Sequence, residues 1–170
     1  MENDIVVRPI TENDAGGFRD AVDAVARERR FLRRFQGPSL ENALGFVRSN
    51  LQNGNPQFVA LSGPLVVGWC DIVRGHEDGE SHLGELGMGV LADWRGRGIG
   101  RWLMTETLRA ADAGFLRVEL SVHADNGPAI NLYRSLGFVH EGTQSKGRTK
   151  PGGFVDVLLM ARLQPAERWV

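Results

Sequence analysis

The chain predicts a single-domain α/β fold: a mixed sheet of about seven strands flanked by helices. Three observations lead there. Short β-rich runs alternate with stretches of helical periodicity, which is the pattern of a sheet with packed helices. The 170 residues suffice for one core without staples. No internal repeat, low-complexity tract or interdomain linker divides them.

Each element has a local reason. Residues 5–10 form a first strand that ends near Pro9, and Thr11-Glu12-Asn13-Asp14 offers N-cap candidates for a helix. Phe18, Val22, Val25 and Leu32 recur at helical spacing, so that helix is expected to run to about Phe31. Pro38-Ser39 opens a second helix with Leu40, Leu44, Val47 and Leu51 as its stripe, broken by Asn53-Gly54-Asn55-Pro56. Residues 57–61 and 65–74 form a hairpin across Ser62-Gly63-Pro64, and residues 81–91 add a third strand to this meander after the polar turn 75–80. Residues 99–113 read as a helix with Ile99, Leu103, Met104, Thr107, Leu108, Ala110 and Ala111 on the packed face. A strand at 116–122 precedes a short helix at 129–136, which starts near Pro128 and stops at Gly137. Residues 138–141 and 154–161 close the sheet around a polar loop, 142–153.

Bulk properties exclude several function classes. A net charge of -1 gives no general pull toward nucleic acid. Cys70 is the one cysteine, so no intramolecular disulfide or thiolate metal cluster forms, and its apolar surroundings read as those of a buried structural thiol. His76, His82, His123 and His140 lack metal-ligand spacing, so no metal is expected. The start, Met1-Glu2-Asn3-Asp4, lacks the basic flank and apolar core of a signal peptide. Nothing approaches the roughly 20 apolar residues of a membrane span, so no membrane partner and a cytoplasmic location are expected.

The chemistry concentrates in two motifs. The first is Arg95-Gly96-Arg97-Gly98-Ile99-Gly100, between an apolar run and a helix. A glycine-rich turn there lets backbone N–H groups converge on a phosphate, with the helix dipole adding positive potential; an ordinary strand–helix turn uses the same residues. The dinucleotide fingerprint and the P-loop both require other spacings. The side chains of Arg95, Arg97 and Arg101 either add charge to such a site or are solvated. The second motif is Asp125-Asn126-x-x-Ala129-x-Asn131-x-Tyr133-x-x-x-Gly137-Phe138, which contains the chain's one tyrosine. Taken alone, Tyr133 fits a packed amphipathic side chain and Asn126 a helix cap. The basic run 27–34 either solvates a helix end or borders a site that binds a carboxylate.

In this order and spacing, the two motifs resemble the GCN5-related N-acetyltransferase (GNAT) family from about Gly84 to Phe138. Residues 141–163 are more loosely similar to a subgroup that acetylates free amino acids and related small amines, and residues 1–80 match in element order. The resemblance implies a largely antiparallel sheet with a splayed parallel strand pair at the cofactor site. It implies acetyl-CoA as the acetyl donor, with no metal, and a small-molecule amine as acceptor. The N–H groups from Arg97 to Arg101 would hold the pyrophosphate, with Arg95, Gly96, Gly98, Ile99 and Gly100 completing that loop. Backbone at Met88 and Val90 would pair with the pantetheine arm. Asn126 would contact that arm, Asn131 in the same signature would also bind the cofactor, and Tyr133 would sit near the sulfur. A homodimer follows from the resemblance alone.

The implied reaction is direct attack of a neutral amine on the thioester. Backbone N–H near Met88–Val90 would polarise the carbonyl, and Tyr133 would act as general acid toward the thiolate. Glu85, on the same strand, is the candidate base, with Glu119 and His123 as rivals. A protein or peptide N-acetyltransferase and a non-catalytic acyl-CoA-binding module remain as alternative readings. The tail 164–170, with Trp169, either covers a partner subunit or frays.

Overall fold

Local sequence sets most element boundaries. The structure, a computed structural model, describes residues 4–168. In chain order it contains β1 (Ile5–Pro9), α1 (Ala15–Arg27), α2 (Leu40–Asn53), β2 (Gln57–Ser62), β3 (Leu65–Arg74) and β4 (Leu83–Val90). There follow α3 (Ile99–Ala111), β5 (Arg117–His123), α4 (Gly127–Ser135), β6 (Val139–Lys150) and β7 (Gly153–Leu163). Asp14 accepts from the Thr11 N–H at 2.8 Å and from its hydroxyl at 2.9 Å, tightening the turn before α1. The Ser39 hydroxyl caps α2 by accepting from the Asn42 N–H at 3.1 Å, and Gly54 ends that helix at φ 65°.

All strands join one sheet in the order β1-β2-β3-β4-β5-β7-β6. Every pairing is antiparallel except β4 with β5, which are linked through α3, because parallel neighbours need a crossover. One sheet face buries α3 and α4 with Leu103, Met104, Val118, Leu120 and Met160. The other buries α1 and α2 with Phe18, Val22, Val25, Val47 and Trp69. The mixed sheet with one parallel pair that the resemblance implies is therefore present.

Four local expectations need correction. The first helix ends at Arg27, because Arg29 takes φ 52°, outside helical space. Leu32 thus keeps helical spacing by coincidence and packs from a loop. On α2 the buried face is Ala43, Val47 and Asn50, while Leu40 and Leu51 are half exposed; the contact line lies one step away from the apolar stripe. Ala110 is exposed, at the margin of the α3 face. The polar segment 142–153 is mostly strand: β6 and β7 pair as far as Lys150 and Gly153. Its Gln, Ser, Lys and Arg composition is that of an exposed edge strand, where solubility outweighs burial. Trp169 lies outside the described residues.

Candidate active site

The site begins where two strands part. β4 and β5 pair only from Leu83↔Arg117 to Glu85↔Glu119, after which β4 follows β3 and β5 follows β7. The Leu91 N–H bonds the Val67 carbonyl at 2.9 Å, which sets the phase of the β3–β4 ladder. Bonding directions alternate along an antiparallel strand, so Gly87 and Gly89 bond toward β3. Leu86, Met88 and Val90 then turn their N–H and C=O groups into the gap beside β5. The Val90 carbonyl already accepts from Arg95 Nε at 2.9 Å. A cleft of about 800 Å³ fills the gap and passes through the sheet from the α3–α4 side to the α1–α2 side.

At one end lies the glycine loop. Gly96 and Gly98 hold φ of 73° and 78°, values that L side chains rarely adopt, and Gly98 caps α3. The first N–H with a helical partner is that of Trp102, bonded to the Gly98 carbonyl at 3.0 Å. The N–H groups of Ile99, Gly100 and Arg101 therefore point outward at the positive end of the helix dipole. The neighbouring arginines are largely committed. Arg95 grips Glu28 at 2.8 and 2.6 Å and lies 4.8 Å over the Phe31 ring. Arg101 donates to the Ser135 hydroxyl at 2.8 Å, bridging α3 and α4. The anion seat is thus mainly backbone.

Tyr133 stands midway. α4 is started by Asn126, whose side chain accepts from the Ala129 N–H at 3.3 Å, with Pro128 in the first turn. This buries Tyr133 against Phe138, ring centres 6.0 Å apart, along the cleft wall. Burial, and then the nearby Cys70, push the phenol well above its ordinary range, so it stays protonated at neutral pH. Its hydroxyl has no hydrogen-bond partner among the described residues and is free to donate to a group in the cleft. Burial likewise pushes the Cys70 thiol up, leaving it unreactive.

The other end carries charge of both signs. Arg33, on the loop after α1, donates to Glu85 at 2.5 Å and to the Ser121 hydroxyl at 3.3 Å. Both partners of that ion pair remain more than half exposed. Neither rival for base lines this cleft. Glu119 pairs with Arg117 at 3.1 Å. His123 Nδ1 lies 2.7 Å from the Arg30 carbonyl, and since a carbonyl only accepts, that nitrogen carries the proton and anchors the loop.

Most of the sequence-derived candidates line this one cleft: Glu85, Met88, Val90, Arg95, Gly96, Gly98, Ile99, Gly100, Arg101, Asn126 and Tyr133. Arg97 and Asn131 do not. The Arg97 guanidinium donates to the Asp93 carbonyl at 2.9 Å and lies 4.9 Å over Trp94, and Asn131 is exposed on α4. Of the basic run 27–34, Arg27 ends α1, and the residues after it form a loop that borders the cleft through Arg30 and Arg33. Sequence reasoning passed over Asp71, a buried carboxylate on β3. The signal was present as one acidic residue inside an otherwise apolar strand. Among the described residues no His, Cys, Asp or Glu side chains cluster as a metal site. No described helix is long and apolar enough to cross a membrane.

Comparison with known proteins agrees with this geometry. The model of the acetyltransferase (GNAT) family matches residues 22–138. The L-amino acid N-acetyltransferase AaaT of Escherichia coli is 36% identical over 113 residues, covering 65% of this chain and 70% of its own. The L-amino acid N-acyltransferase MnaT of the same organism is 28% identical over 130 residues, 75% of each chain. A phosphinothricin acetyltransferase from Sinorhizobium meliloti, solved in complex with acetyl-CoA, superposes with a TM-score of 0.89 at 21% identity, over 100% of this chain and 92% of that one. Matched by the family model across both motifs and by that structure in fold, the chain belongs to the acetyltransferase (GNAT) family.

Proposed function

We propose that this acetyltransferase transfers the acetyl group of acetyl-CoA to the amine of a small acceptor that also carries a carboxylate, a free amino acid or close analogue. The observation that carries this reading is the cleft itself. It joins a backbone anion seat to a guanidinium–carboxylate pair, with a protonated phenol between them. The relatives named for amino-acid acetylation support the same acceptor class.

In this reading the N–H groups at the start of α3 take the pyrophosphate. The free edge of β4 at Met88 and Val90 receives the pantetheine amides as an added strand. The thioester carbonyl then meets a backbone N–H of that edge, which stabilises the developing oxyanion. A half-exposed ion pair contributes only about 0–1 kcal/mol, so the Arg33–Glu85 pair exchanges partners at little cost. The acceptor carboxylate takes Arg33, and its ammonium takes Glu85, which draws off a proton. The neutral amine attacks the carbonyl carbon, the C–N bond forms, and the C–S bond breaks. Tyr133 donates its hydrogen bond to the departing thiolate, and the second amine proton completes the thiol.

The test is free-thiol release from acetyl-CoA across amino acids, their amides, polyamines and peptides. Turnover should favour acceptors with a free carboxylate, and Arg33→Ala should raise KM for those by about tenfold or more while leaving amides unaffected. Turnover of peptides alone would make the protein a peptide acetyltransferase. Acetyl-CoA binding without turnover on any amine would leave only a sensor.

A further inference from the structure

A row of buried polar side chains runs across the sheet behind the acceptor end of the cleft. The Asn55 side-chain amide donates to Asn50 Oδ1 at 3.1 Å, and the Asn50 side-chain amide donates to Gln57 Oε1 at 2.9 Å. Those bonds leave the Gln57 amide nitrogen buried without a partner. Directly across the ladder from Gln57 stands Asp71, and directly across from Asp71 stands Gly87, which lines the cleft. Asp71 is 7% exposed and makes no hydrogen bond or ion pair among the described residues. An unpaired donor and an unpaired acceptor thus occupy neighbouring positions of one row, each costly to bury unused.

On the β4 side the row meets the cleft at Gly87. A Cβ at Gly87 would lie 3.3 Å from Asp71 Oδ1, so the glycine leaves the carboxylate uncovered on that side. Glu85 is the diagonal neighbour on the same face, at a distance of roughly 7–8 Å or less between Cβ atoms. On the Glu85 side the charged and titratable groups are Glu85 with its partner Arg33, Glu119 with its partner Arg117 one strand further on, and Arg74, His76 and Glu80, which line the same hollow as Glu85 and Glu119. β2 and α2 offer only the neutral Gln57 and Asn50, α1 covers this face with Phe18, Val22 and Val25, and the adjacent Cys70 is a neutral thiol.

We propose that Asp71 is a positioning residue that serves as proton sink for the acceptor amine, acting through Glu85. Glu85 takes a proton from the ammonium group, giving a neutral amine and a carboxylic acid. That proton then passes to the Asp71 carboxylate, restoring the Glu85 anion before the C–N bond forms. After turnover Asp71 returns its proton to solvent. Burial, and then the charge of Glu85, raise the Asp71 carboxyl to about 7, where it both accepts and releases protons near neutrality. The inference rests on amine acetylation as the reaction, but not on the acceptor's identity.

The test is Asp71→Asn, a near-isosteric change, read in two ways. The kcat/KM of wild type should fall on the acid side with a midpoint near 7. In the variant that limb should vanish and the plateau should drop about 100-fold, with KM for acetyl-CoA unchanged. Glu85→Gln, which removes the relay, should slow the reaction and lose the limb too. In that variant the Asp71 carboxyl should still titrate with its midpoint moved down, because the charge of Glu85 helps to raise it. An Asp71→Asn enzyme with the same limb at the same midpoint overturns the proposal, because a merely structural residue leaves the pH profile in place. The second reading is carboxyl NMR of aspartate-labelled protein without any acceptor. One resonance should titrate between about 6 and 8 and be missing from the variant. Its absence from wild type overturns the proton sink even if the acceptor class proves different.

Discussion

Replacing Asp71 by asparagine should change how stability depends on pH, independently of catalysis. In the folded protein the Asp71 carboxyl sits at about 7, against the ordinary aspartate value of 3.8 that the unfolded chain approaches. Between those values the folded state holds a proton that the unfolded state has released. Stability therefore falls as pH rises across this window, by about 1.4 kcal/mol per pH unit, and the loss is complete once pH exceeds the folded value. Across the window the total is about 4 kcal/mol, an order-of-magnitude figure. An asparagine amide at this position does not titrate, so the variant should gain on wild type by that amount between about pH 4 and pH 8. Near the melting temperature this corresponds to a relative shift of about 10 °C for a chain of this size. Other groups with shifted titration, such as Asp14 beside Arg8, are common to both proteins and cancel in the difference. Urea unfolding of both proteins at a series of pH values measures it. Parallel stability curves would refute the reasoning, since they would mean that Asp71 is ionised as readily folded as unfolded.

Two further outcomes follow from the donor end of the cleft. Tyr133→Phe removes the one phenol facing the cleft. It should lower kcat by roughly 100-fold while acetyl-CoA affinity by calorimetry stays within about twofold, and unchanged kcat would remove the phenol from the reaction. Gly98→Ala forces φ of 78° on a residue with a Cβ, which costs roughly 1–2 kcal/mol or shifts the loop. It should weaken acetyl-CoA binding by about tenfold and lower the melting temperature by a few degrees, and unaltered affinity would show that the loop N–H groups do not hold the anion.

Legibility in the sequence followed distance along the chain. The glycine loop, α3 and the cap of α4 use short-range signals: glycines at positive φ, a helical stripe, and an Asn three residues before the N–H it caps. Those elements emerged close to their expected bounds. Boundaries failed where tertiary contacts overrode local pattern. The loop carrying Phe31 and Leu32 keeps helical spacing, yet the Arg95 guanidinium stacked on Phe31 and paired with Glu28 draws it over the cleft. β6 lacks apolar alternation because, as an edge strand, it relies on the backbone of β7. Arg97 and Asn131 belong to the right motifs but lie outside the cleft, since motif spacing does not specify which way a side chain turns.

Local sequence is enough to specify the donor half of this protein. A phosphate seat made from consecutive backbone N–H groups needs only a turn and a helix start, both encoded within a few residues. The acceptor half exists only once the sheet and its loops have assembled. Arg33 meets Glu85 across 52 positions of chain, and Asp71 gains its isolation from Gln57 on one neighbouring strand and Gly87 on the other. Whether a carboxylate is solvated, paired or left alone depends on what the fold places around it, and that environment sets its charge.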